Sequence, residues 1–68
     1  MNRNLEQKWL RTDRPINIPL SRRNRKILDF VKAPKTTREI ALHAGITEKT
    51  AGVELRYLKG LGFVKEVY

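Results

Sequence analysis

The sequence has no cysteine, one histidine, one methionine and one tryptophan in 68 residues. Without cysteine there is no disulfide and no thiolate metal site, and His43 alone cannot assemble a zinc site. No apolar run is long enough for a signal peptide or a membrane span, so a cytoplasmic protein with no membrane partner is expected. Carboxylates are scarce, seven against fifteen Lys and Arg, for a net charge of +8. The chain shows no nucleophile paired with a base, no carboxylate cluster and no room for a cleft of about 300 Å³ or more. No enzyme, cofactor or small-molecule ligand is expected.

A chain below roughly 70–80 residues seldom draws more than about 3–5 kcal/mol from one core. With disulfide and metal staples excluded, association of copies is the remaining support, and a homodimer is expected. The positive charge is uneven. Residues 1–26 carry eight cations and two carboxylates, residues 27–68 seven and five. Such an excess in a small protein points to a polyanion, usually nucleic acid, against the plainer reading of a solvated basic surface.

"NLEQKWLR" sets Leu5, Trp9 and Leu10 on one side of a short helix, and the proline-broken "TDRPINIPL" follows as an extended arm. Residues 1–20 are therefore expected as helix plus arm. The three apolar side chains have no obvious place in a three-helix core and are assigned to a dimer contact. Ser21 caps a helix over about residues 22–32, with Ile27, Leu28 and Val31 inward, and Pro34 ends it. "TTRE" reads as a capping box between Thr36 and Glu39, opening a helix over 36–44 that buries Ile40, Ala41 and Ala44.

The stretch "IALHAGITEKTAGVEL" then stops one helix and starts another within three residues. Gly45 suits the left-handed residue that closes the first, Ile46 plugs the angle, and Thr47 caps a helix over 48–60. Ala51, Leu55 and Leu58 face inward on that helix, and "GLG" at 60–62 caps its end before a strand over about 63–67. The fold class is mainly α with a small β element.

"TTREIALHAGITEKTAGVELRYLKGLGFV" resembles the winged helix-turn-helix of small archaeal and bacterial transcription regulators. The likeness lies in the capped "T-x-E-I-A" helix, the small residue before Gly45 with Ile46 and Thr47 after it, and the ending at Leu55, Leu58, Gly62, Phe63 and Val64. It covers about residues 21–65, within a domain taken as 21–68. The resemblance implies a sequence-specific double-stranded DNA-binding regulator that acts by occupying a promoter, with helix 48–60 in the major groove. A protein-interaction module of a larger machine, or a structured-RNA binder, is the alternative. Only six residues follow Gly62, too few for a two-stranded wing. The last strand is left to pair with "INIPL", the favoured choice, or with another protomer.

At about 100° per residue, Lys49, Val53, Arg56 and Gly60 point away from the core, with Tyr57 on one flank and Gly52 on another. Lys49, Thr50, Gly52, Val53 and Arg56 are the expected base-reading residues, because small and cationic groups suit close approach to base edges. The expected phosphate contacts are Arg11 and Arg14 on the arm, Arg22, Arg23, Arg25 and Lys26 in "RRNRK", and Thr36, Thr47 and Lys65. His43 is read as an ordinary part-exposed side chain, neither ligand nor catalyst.

Overall fold

A hydroxyl opens each of the three helices in the computed structural model, which describes residues 7–68. Ser21 accepts from the Asn24 N–H at 3.1 Å and starts α1 (Arg22–Phe30). Thr36 accepts from the Glu39 N–H at 3.1 Å while the Glu39 carboxylate accepts from the Thr36 N–H at 2.8 Å, a complete capping box for α2 (Thr37–Ala44). Thr47 accepts from the Thr50 N–H at 3.1 Å and starts α3 (Glu48–Gly60). Each bond satisfies a backbone donor that a helix start leaves free.

The stops follow the same logic. Gly45 sits at φ 71° and ψ 35°, the left-handed region that favours glycine, and turns the chain from α2 into α3. Gly62 does the same after α3 at φ 85°, while Gly60 is still helical. α1 ends two residues earlier than the expected 32, with Val31 as its cap and Pro34 close behind.

The N-terminal segment differs from expectation. Lys8–Arg11 is a strand, β1, where a helix was anticipated. It lies between β2 (Lys35–Thr36) and β3 (Val64–Val67) in a three-stranded antiparallel sheet of order β2-β1-β3. Lys8 stands opposite Thr36 on one side, and the register on the other runs from Lys8 opposite Val67 to Arg11 opposite Val64. β3 thus pairs within its own chain, but with residues 8–11 and not with 16–20. Pro15 and Pro19 lack the N–H a ladder requires. That segment instead packs Ile16 and Leu20 against the core.

Trp9 is 4% exposed, inside the core with Ile27, Leu28, Val31, Ile40, Ala41, Ala51, Leu55, Leu58, Phe63 and Val64. Its indole Nε1 donates to the Thr37 hydroxyl at 2.9 Å. A buried side chain cannot carry a dimer contact, so the assignment of Trp9 to one is corrected; its apolar surface is covered by its own chain. Leu10 is half-buried, and Leu5 lies outside the described residues. Among the described residues no helix is long and apolar enough to cross a membrane.

Two carboxylates are held in their charged form by hydrogen bonds. The Thr36 N–H holds Glu39 below its ordinary 4.5, and the Lys59 ammonium, with Tyr68 beside it, does the same to Glu66. A carboxylate held below its unfolded value contributes stability above that value and loses the contribution as pH falls through the folded one. The melting temperature is therefore expected to fall below about pH 4.5, and to fall less in Glu39→Gln, which keeps a capping side chain without a charge to lose. Identical acid profiles for the two proteins would remove Glu39 from the explanation.

Trp9→Ala should cost about 3–5 kcal/mol, which matches all that one small core supplies, so the variant should be largely unfolded. Trp9→Phe keeps most of the packing and loses the bond to Thr37, at about 1 kcal/mol or a little more. Denaturant melts followed by circular dichroism check both. A cooperative, near-wild-type melt for Trp9→Ala contradicts the central position of β1.

Candidate nucleic-acid interface

Two ties set which side of α3 meets solvent. On the flank toward α1, Glu54 accepts a hydrogen bond from the Asn24 side-chain amide and lies 3.5 Å from the Arg23 guanidinium. Asn24 is 5% exposed, so the amide needs this partner. On the opposite flank Lys59 pairs with Glu66 of β3. Ala51, Leu55 and Leu58 are fully buried between the two ties. Lys49, Val53 and Arg56 stand on the free face, Val53 at 57% exposed, and Gly52 sits half-buried at its edge.

That edge borders an open groove of about 630 Å³ running between α3 and the sheet. Lys49, Gly52 and Arg56 line one side, Gln7 and Glu66 the other, with Trp9, Thr37 and Glu48 completing it. A smaller hollow of about 330 Å³ adjoins it, where Arg38 joins Gln7, Thr36, Thr37 and Glu48. Four of the five expected base-reading residues therefore lie on or beside one surface. Thr50 is half-buried, its backbone N–H donating to Thr47 and its hydroxyl accepting from the Thr47 hydroxyl at 3.0 Å.

The expected phosphate contacts do not share that surface. Arg11 lies 3.6 Å from Asp29, Arg23 is held by Glu54, and Arg14 lies across Gly62 with its guanidinium carbon 5.8 Å from the Phe63 ring centre. Thr36 is 8% exposed with N–H and hydroxyl both engaged in its capping box, which corrects its assignment as a phosphate contact. Thr47 is exposed, its hydroxyl shared between the Thr50 N–H and the Thr50 hydroxyl. Lys65 is exposed on β3, opposite Leu10. Arg22, Arg25 and Lys26 line a separate depression on α1 with Leu20, Asp29 and His43.

Gln7, Thr37 and Glu48 border the α3 groove and Arg38 the hollow beside it, and none of the four is among the expected contacts. Arg38, two residues after the Thr36 cap and outside the Ile40–Ala41 stripe, could have been found from the sequence. Gln7 could not, because it reaches the groove only through the unforeseen β1. Among the described residues no group of three His, Cys, Asp or Glu could hold a metal ion. Comparison with protein-family models, with curated proteins and with solved structures gives no match to this chain.

Gly52 has no internal reason to be glycine. Its φ is ordinary for a helix, and a Cβ there would meet only the Arg56 Nη2, at a comfortable 3.5 Å. Gly52→Ala should therefore stabilise the fold by about 1 kcal/mol, the usual gain for that change within a helix. Chemical denaturation measures it. A loss of stability would mean that the glycine serves packing within the chain.

Proposed function

We propose that this protein is a winged helix-turn-helix that binds double-stranded DNA sequence-specifically, lays α3 in the major groove and regulates transcription by occupying a promoter. The observation that carries this reading is the free face of α3. It is cationic at both ends, at Lys49 and Arg56, and small in the middle, where Gly52 forgoes stability for no packing gain within the chain. Seven residues at about 1.5 Å each separate the two cations by about 10 Å, within a major groove about 12 Å wide. Val53 is suited to a thymine methyl and Arg56 to a bidentate contact with guanine.

The element order supports the winged reading with one change. β2 precedes α2 and β3 follows α3, and the strand that joins them comes from the N-terminal side. In this sheet β1 takes the place beside β3. Arg38, exposed in the hollow that adjoins the groove, is the phosphate contact of this face. Glu48 and Glu66 in the groove disfavour phosphate there, which leaves the groove to base edges. The protein-interaction alternative draws on a different observation, exposed Leu42 at 75% and Tyr57 at 53%.

Arg56→Ala should cost about 1–3 kcal/mol on the preferred duplex and much less on random DNA. Arg38→Ala should weaken every sequence alike and lower the log–log salt slope by about one. A salt series with specific and random duplexes measures both. Equal losses on both duplexes would make Arg56 a phosphate contact. No change for either variant would transfer the reading to a protein partner. A homodimer belongs to the proposal, and the same titrations read its stoichiometry: two chains per site are expected, and one chain per site removes it.

A further inference from the structure

Arg22, Arg25 and Lys26 were expected to grip the same duplex as α3, yet they face elsewhere. Asn24, Ile27 and Leu28 are buried and turn α1 toward the core; Arg22, Arg25, Lys26 and Asp29 occupy the opposite side of that helix and are exposed. With Leu20 and His43 they line an open depression of about 570 Å³. None of its lining residues belongs to the groove beside α3. α1 and α3 each turn an apolar stripe into the same core, Ile27 and Leu28 from one and Ala51, Leu55 and Leu58 from the other.

The depression is strongly cationic. Three cations line it against one carboxylate, Asp29, which already lies 3.6 Å from Arg11. Among the described residues Arg22, Arg25 and Lys26 have no ion-pair partner. Side chains three and four apart on a helix stand about 5–6 Å from one another, close enough to act together on neighbouring phosphates. Protein partners are usually anchored by buried aromatic and apolar groups, and Leu20 is the only aliphatic side chain in this lining.

We propose that the α1 depression is a second DNA-backbone site, and that one chain joins two duplexes, one on α3 and one on α1. The proposal rests on the reading of α3 as a duplex-binding face. A phosphate grip without base contacts makes the second site indifferent to sequence.

The test uses the full-length chain with one short duplex on beads and a second, fluorescent duplex of unrelated sequence in solution. Capture of the second reports bridging, and anisotropy with a single duplex at limiting DNA reports the α3 site. The combined variant Arg22→Gln, Arg25→Gln, Lys26→Gln should lower capture by about tenfold or more and leave single-duplex affinity within about threefold. Asp29→Asn, which removes the opposing carboxylate, should raise capture. No capture by the wild-type chain overturns the proposal. So does capture that survives the combined variant, since a dimer using two α3 faces would then account for it. Equal loss of capture and single-duplex affinity would make α1 part of one continuous site, which also overturns it. Binding of polyglutamate in the depression without duplex capture would assign it to an acidic protein instead. Failure of the α3 reading is visible separately, as Arg56→Ala and Arg38→Ala both leaving affinity for the preferred single duplex unchanged.

Discussion

Trp9 ties the molecule together because it belongs to the middle strand of the sheet and to the core at once. Its ring is buried against the helices, and its N–H reaches the hydroxyl of Thr37 in the first turn of α2. Through β1 it joins β2, which leads into α2, to β3, which follows α3, with β1 between the two. An isolated two-stranded pairing is marginal in water, and three strands packed on helices are not. Supplying the middle strand from far away in sequence therefore stabilises both outer strands. Backbone bonds extend the attachment, from the Arg11 N–H to the Val31 carbonyl at 2.8 Å and from the Thr12 N–H to the Phe63 carbonyl at 2.9 Å.

With the sheet fixed, the orientation of α3 follows from polar contacts on its two flanks. Glu54 is drawn toward α1 by Asn24 and Arg23, and Lys59 toward β3 by Glu66. Exposed ion pairs contribute little stability, about 0–1 kcal/mol each. Their value here is angular: they oppose rotation of a helix whose apolar stripe is only three residues wide. The same contacts take Arg23 out of the pool of free cations, as Asp29 does for Arg11. The cations of residues 11–26 are thereby divided between those with partners in the fold, Arg11, Arg14 and Arg23, and Arg22, Arg25 and Lys26 of α1.

The helices were legible because their signals are local. Ser21, Thr36, Thr47 and Gly45 each act within four residues, and the inward stripe of α3 follows from its period alone. The N-terminal strand was not legible, because Leu5, Trp9 and Leu10 mimic a helical face and "KWLR" is too short to declare an alternation. Its strand character comes from partners 28 and 57 positions away, Thr36 beside Lys8 and Glu66 beside Trp9. The same gap hid Gln7 and misdirected the pairing of β3. For the candidate site, the free face of α3 was readable from helix geometry. The destinations of the arginines were not, since a basic side chain in sequence does not reveal which carboxylate or ring it will meet. Asn24 on the otherwise apolar stripe of α1 did carry a signal, because a buried amide requires a polar partner from a neighbouring element.

The central claim is that the face between those two flanks reads bases. Its most direct test is enrichment of duplexes from a random pool by the full-length chain at near-physiological salt, followed by sequencing of the bound fraction. A discrete motif of a few base pairs with a strong preference at each is the expected result, because bidentate and methyl contacts discriminate by about 1–3 kcal/mol per base pair. Retention of DNA with no enriched sequence, lost steeply as salt rises, would contradict it, leaving a protein that holds the backbone and reads nothing.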